Sequence, residues 1–133
     1  MTENIPRLIE FPSIGSSEFG YITVSESARN IPFDVKRVYW TYYTPQNVQR
    51  GHHAHKELQQ VIFAVSGRIE VDLEDTRGTK SKFLLESPSI GLYIPRRIWR
   101  VIRFSHSAVL LCLASLAFEE SDYIRTYEDF KKL

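Results

Sequence analysis

Cysteine is almost absent from this chain: Cys112 is the single thiol in 133 residues. No disulfide can form within one chain, which fits a reducing cytoplasm. A lone thiol inside Val109-Leu-Leu-Cys-Leu-Ala114 reads as a small buried hydrophobe rather than a nucleophile. Neither sign of charge is in excess. Seventeen Lys and Arg stand against 16 Asp and Glu, net +1, so the electrostatic footprint of a nucleic-acid binder is missing. Long apolar runs are missing too. The longest, 108–118, is interrupted by Ser115 and is too short to span a bilayer. The N-terminal Met-Thr-Glu-Asn-Ile-Pro has no basic segment followed by an apolar core, so no secretory signal is expected. What is present is a single domain, 1–133, that is 43% apolar and 13% aromatic. That composition favours a β-fold with a real core.

Three of the four histidines fall in one run, Arg50-Gly51-His52-His53-Ala54-His55-Lys56. On an extended strand His53 and His55 point one way, and His52 and Ala54 the other. Arg50 lies close enough to bring a fixed positive charge to the same mouth. The apolar run 58–65 follows and supplies a buried strand behind the imidazoles. Two histidines on one strand face beside an arginine suggest a metal site or an acid/base site.

Alternation and turn residues predict strands over 7–11, 20–24, 34–43, 58–65, 68–74, 80–85, 89–94, 97–104 and 108–116, with 13–17 as a loop. The 34–43 strand carries Arg37, Tyr39 and Tyr43 on one face and Val38, Trp40 and Tyr42 on the other, so both faces should be covered. Only the end looks helical. Ser121-Asp122 should cap a first turn, and Glu128-Asp-Phe-Lys-Lys is a short amphipathic tail. About nine short strands imply an all-β fold, a jelly-roll barrel with a short C-terminal helix and an interior wide enough for one ligand.

The histidine run resembles the cupin signature. A first motif there has His-x-His, then an acid, then a glycine; a second has a proline and a third histidine. His53, His55 and Gly67 fit the first, and Pro95 fits the second. Gln60 stands where the acid belongs, and Arg100 where the third histidine belongs. A divalent cation wants imidazole and carboxylate ligands, and a guanidinium both fails to ligate and repels the ion. The expectation is therefore a cupin barrel that has lost its metal. Losing it frees the imidazoles to move protons. Arg50 and Arg100 would supply fixed charge for an anionic substrate or an enolate-like intermediate. Tyr39 or Tyr43 would position or donate to a substrate oxygen. Trp99 is a candidate for substrate stacking, with core packing as its alternative.

Beyond the histidines, Arg50-Gly51-x-His53-Ala54-His55-Lys56, Gln60-Val61, Gly91-Leu92-Tyr93-Ile94, Trp99-Arg100 and Asp122-Tyr123-Ile124-Arg125-x-Tyr127 together resemble the sugar 3,4-ketoisomerases of the WxcM-like cupin family. The resemblance covers nearly the whole chain. It implies a homodimeric, cytoplasmic, metal-independent enzyme with no organic cofactor, acting on dTDP-4-keto-6-deoxy-D-glucose. The keto group would move from C4 to C3 through an enediolate, giving dTDP-3-keto-6-deoxy-D-glucose for 3-amino-3,6-dideoxy sugars of O-antigens, S-layer glycans or antibiotics. It implies His53, His55 and Tyr39 as catalytic residues; the shared strand face beside Arg50 suggests His55 as the principal base and His53 as its partner, with the reverse order open. It implies Arg50, Arg100, Tyr21 and Trp99 around the substrate, and the N-terminal strand at the subunit contact. Arg100 cannot deliver a proton, so return from the histidine side should give the gluco configuration at C4.

Three rivals stay open. A metal-dependent cupin such as a dioxygenase would lose activity on chelation. A non-catalytic nucleotide-sugar-binding cupin would bind the ligand without exchanging solvent deuterium into it. A dTDP-4-keto-6-deoxyhexose 3,5-epimerase-like cupin would use a base at C3 and C5.

Overall fold

The computed structural model describes residues 5–133; the first four residues of the 1–133 domain and of the N-terminal stretch lie outside the described residues. In chain order the strands are β1 Arg7–Glu10, β2 Ile14–Ser16, β3 Gly20–Ile22, β4 Arg37–Thr41, β5 Gln49–His55, β6 Gln60–Ser66, β7 Ile69–Glu74, β8 Lys80–Leu85, β9 Ile90–Ile94, β10 Trp99–Phe104, β11 Val109–Ala114 and β12 Tyr123–Ile124, followed by helix α1, Tyr127–Lys131. Two five-stranded sheets form, ordered β1-β9-β6-β11-β4 and β12-β5-β10-β7-β8, and β2-β3 is a separate hairpin. Neighbours in both sheets run antiparallel and are mostly far apart in sequence, the mark of a jelly roll.

Side-chain alternation builds the layers. Ile69, Val71 and Leu73 of β7 point inward and meet Ile62 and Ala64 of β6 and Leu110 and Cys112 of β11 in one buried cluster between the sheets. Strand β6 reads as a continuous apolar run because its other face is buried as well. Val61 and Phe63 pack outward against Phe11, Ile31 and Phe33, which the 11–33 segment lays over the sheet. Burial of each such side chain contributes about 2 kcal/mol.

Three expectations change. The 13–17 loop contains β2, which pairs with β3 through Ile14↔Ile22. The 34–43 segment is not covered on both faces: Val38, Trp40 and Tyr42 are exposed on one, and on the other Tyr43 is exposed and Tyr39 partly so. Asp122 caps nothing. The helix is capped instead by Thr126, whose hydroxyl accepts from the Asp129 amide at 3.1 Å, and Phe130 anchors it. Among the described residues, no helix is long and apolar enough to cross a membrane.

Candidate active site

Strand β5 carries a bulge that decides which residues reach the barrel interior. Opposite β10, Arg100 pairs with His53 and Val101 with Gly51, so His52 has no partner. The extra residue is accommodated by left-handed backbone at Gly51 (φ 91°) and His52 (φ 54°). Strict alternation would set Arg50 on the face opposite His53. The bulge returns it to the same face, where Arg50 sits opposite Ile102. A β-carbon at position 51 would lie 2.9 Å from the Arg100 carbonyl oxygen, so glycine is needed for the close approach as well as for φ.

The two imidazoles sit edge to face, ring centroids 4.9 Å apart. His55 is buried, and its Nδ1 donates to Oδ2 of Asp122 at 3.2 Å. The same carboxylate accepts from the amides of Glu57 (2.8 Å) and Leu58 (3.2 Å), which fix it in place. His53 Nδ1 donates to the Gly51 carbonyl at 3.0 Å. Both rings therefore carry their proton on Nδ1 and present a bare Nε2 lone pair. Burial first, then the Arg100 guanidinium, lowers His53 to about 4 and moves His55 in the same direction. Both are neutral at pH 7, as a general base must be. The Tyr123 ring packs on both, at 5.2 and 4.4 Å, and the Arg125 guanidinium covers Tyr123 at 4.0 Å.

Beneath them lies a buried polar chain. Arg100 is 2% exposed. Its guanidinium donates to the Gln60 side-chain oxygen and, at 3.1 Å, to the Ile98 carbonyl. The Gln60 amide nitrogen donates to the Tyr39 hydroxyl at 3.1 Å and to Cys112 Sγ at 3.2 Å. Burial pushes the Tyr39 phenol well above its usual value and the Cys112 thiol up to about 11, so both stay protonated. The guanidinium thus stands in the barrel at the register of His53, where a cation-binding cupin would place its third histidine. Among the described residues, no three His, Cys, Asp or Glu side chains converge to hold a metal ion.

An open pocket of about 620 Å³ lies above, walled by Arg37 and Tyr39 from β4, Arg50 and His53 from β5, and Tyr123 and Arg125 from the C-terminal segment. No carboxylate among the described residues lines it, although Arg125 is paired with Glu120 at 2.7 Å, and Arg37 keeps a buried Nε with no hydrogen-bond partner. A wall of three arginines and neutral donors suits an anionic ligand.

The structure brings His53, His55, Tyr39 and Arg50 together and separates the rest. Among the histidines, His53 reaches the pocket wall and His55 lies behind it, reversing the order expected for contact with a substrate. Arg100 is under the floor, already hydrogen-bonded, rather than on the wall. Trp99 alternates to the outer face of β10, where it packs on Phe130 and Tyr127 at 5.8 and 5.6 Å, so it does not face the pocket. Tyr21 lies on the outer side of the other sheet, in a groove with Phe63 and Leu111, and does not reach the histidines of its own chain. Sequence reasoning placed none of Arg37, Asp122, Tyr123 and Arg125 in the site. The last three lie in the Asp-Tyr-Ile-Arg stretch, which was legible as a motif but not as part of the site.

Comparison with known proteins places this geometry. The family described as WxcM-like, C-terminal, matches residues 4–133. A TDP-4-oxo-6-deoxy-alpha-D-glucose-3,4-oxoisomerase from Aneurinibacillus thermoaerophilus is 39% identical over 127 residues, 95% of this chain and 90% of the relative. The sugar 3,4-ketoisomerase QdtA from Thermoanaerobacterium thermosaccharolyticum, solved with TDP, superposes with a TM-score of 0.91 at 37% identity, over 99% of this chain and 95% of that one. A histidine-to-asparagine variant of that enzyme was solved with TDP-4-keto-6-deoxyglucose. A 3,4-ketoisomerase from Helicobacter canadensis gives 0.90 at 38% identity, over 96% and 95%. With its paired neutral histidines, arginine-lined pocket and whole-chain likeness to these enzymes, the chain belongs to the WxcM-like family of sugar 3,4-ketoisomerases.

Proposed function

We propose that this protein moves the keto group of dTDP-4-keto-6-deoxy-D-glucose from C4 to C3. The observation that carries this reading is the pair of Nδ1-anchored imidazoles, with His53 on the wall of a pocket shared by Arg37, Arg50 and Arg125 and His55 directly behind it. The hydrogen on C3 is acidic because the C4 ketone stabilises the resulting anion. His53 Nε2 takes that proton, and the C–H electron pair moves to form the C3–C4 double bond while the C4 oxygen becomes an enediolate. Tyr39 donates a hydrogen bond to that oxygen, and the Arg100 cation below stabilises its charge. A proton is then delivered to C4, the C3 hydroxyl passes its proton to the C4 oxygen as the C3 carbonyl forms, and His53 releases its proton to solvent. His55, held by Asp122, supports His53 in this exchange. Arg37, Arg50 and Arg125 hold the diphosphate.

His53 serves one face of the sugar, and the Arg100 guanidinium, whose pKa burial lowers, is held beneath the floor by Gln60 and Ile98 and acts as a fixed charge rather than as a proton donor. The axial hydrogens on C3 and on a gluco C4 lie on opposite faces of the ring, so dTDP-3-keto-6-deoxy-D-glucose forms by protonation of C4 from the face opposite His53, rather than by the expected return from the histidine side. The deciding experiment incubates protein and substrate in deuterated water, traps the product with a 3-aminotransferase and follows it by NMR. Deuterium at C4 with gluco configuration is expected. A galacto product removes the stereochemical assignment, and no exchange removes the enzymatic reading in favour of a binding protein.

The working form is a homodimer, with the N-terminal segment at the contact. Exposed apolar side chains support this: Trp40 at 60%, Phe19 at 88% and Ile22 at 64% exposure exceed what a monomer's surface usually carries together. Tyr21 reaches a substrate only if the β2-β3 hairpin of one copy lies beside the pocket of another.

A further inference from the structure

We propose that Gln60 is a positioning residue that sets Tyr39 as a hydrogen-bond donor toward the substrate; this rests on the ketoisomerase reading. Arginine has donors only. Because Arg100 donates to the Gln60 side-chain oxygen, the orientation of that amide is fixed: oxygen toward Arg100, nitrogen toward Tyr39 and Cys112. Strands β10, β6, β4 and β11 each contribute one member of this chain, so the direction is imposed across both sheets. Gln60 is 2% exposed, and its side-chain oxygen and nitrogen are both engaged.

The consequence lies at the Tyr39 oxygen. It accepts from Gln60 Nε2, so its single O–H cannot point at Gln60. Two directions remain: the buried thiol of Cys112, which is a weak acceptor, and the open pocket that Tyr39 lines. With no oxygen to meet, the proton can rest on sulfur. An enediolate oxygen is a far stronger acceptor and draws it outward. A carboxylate at position 60, as in metal-binding relatives of the fold, would take the Tyr39 proton for itself and silence the donor. The amide at this position is therefore part of the catalytic design, as well as a replacement for a lost ligand.

The test is a double-mutant cycle with Gln60→Glu and Tyr39→Phe, measured with chelator present so that no metal fills the new carboxylate site. Gln60→Glu gives the buried Arg100 a counter-charge, so it is expected to fold. Tyr39→Phe should lower kcat about a hundredfold, the usual scale for one transition-state donor. Gln60→Glu should lower it about as much with KM for the nucleotide sugar unchanged, and the double variant should be no slower than either single one. Additive losses in the double variant, with an active wild type, overturn the Gln60 proposal alone. A wild type without turnover overturns the ketoisomerase reading and this proposal with it. If Gln60→Glu does not fold, Gln60→Met replaces it. Lacking a donor, it should likewise slow kcat without adding to Tyr39→Phe, and additivity there has the same meaning.

Discussion

His55 Nδ1 and Asp122 Oδ2 meet at 3.2 Å inside the barrel wall, 67 residues apart in sequence. The carboxylate is held from the other side by two backbone amides, so it acts as a fixed acceptor that chooses the tautomer of the ring. Asp122→Asn would set an amide N–H against either a backbone N–H or the imidazole. The expected result is a ring protonated on Nε2, a kcat lower by about a hundredfold or more, and a protein less stable by about 2 kcal/mol from the unsatisfied buried group. Steady-state kinetics and thermal unfolding of the variant check both, and normal turnover would show that the pair has no bearing on catalysis.

The two histidines should separate in their effects. His53 faces the pocket, so His53→Asn is expected to remove solvent exchange at C3 and lower kcat by at least about a hundredfold, with TDP affinity largely kept. His55→Asn should also lower kcat strongly while leaving a measurable C3 exchange, because the ring that touches the substrate remains. Mass spectrometry of substrate recovered from deuterated buffer distinguishes them. Full C3 exchange in His53→Asn would return the role of base to His55.

The pH dependence follows from the lowered histidine. His53 is near 4 in the folded chain, against an ordinary value of 6.5. Between those values the unfolded chain binds a proton that the folded one does not, so stability is full above pH 6.5 and falls as pH drops toward 4. For this one group the loss is at most about 3 kcal/mol. Urea unfolding from pH 4 to 8 reads it. Activity should be flat from pH 6 to 8, with its acid limb well below 6.5. A limb centred near 6.5 would mean that the site does not lower the histidine.

Gly51→Ala tests the bulge. The new β-carbon would press on the Arg100 carbonyl in a left-handed backbone, a strain of about 1–3 kcal/mol. The easiest relief is loss of the bulge, which would turn Arg50 away from the pocket. A lower Tm together with weaker TDP binding by calorimetry is expected, and a variant with unchanged affinity would show that Arg50 keeps its place without the bulge.

The dimer is tested by light scattering. The wild type should run at twice the chain mass, and Trp40→Glu, which puts a charge on the exposed face of β4, should shift it toward monomer. A monomeric wild type at working concentration would dismiss the dimer.

Local chemistry was enough to read much of this protein from its sequence. Alternation over 69–74 gave β7 because every second side chain is apolar. The i, i+2 spacing put His53 and His55 on one face, and the motif order identified the family. Gln60 and Arg100 carried the expectation of a site without metal, since an amide removes the carboxylate's charge and a guanidinium cannot ligate. What the sequence could not decide were relations that depend on long-range contact. A bulge is set by the partner strand, so only pairing with β10 shows Arg50 sharing a face with His53. Asp122 joins His55 through packing of the C-terminal segment on β5, which no local pattern encodes. Trp99 and Arg100 are neighbours in sequence, yet alternation on β10 sends one to the helix outside and the other to the floor beneath the histidines. Which face of a strand is the inside is fixed only when the two sheets close on each other.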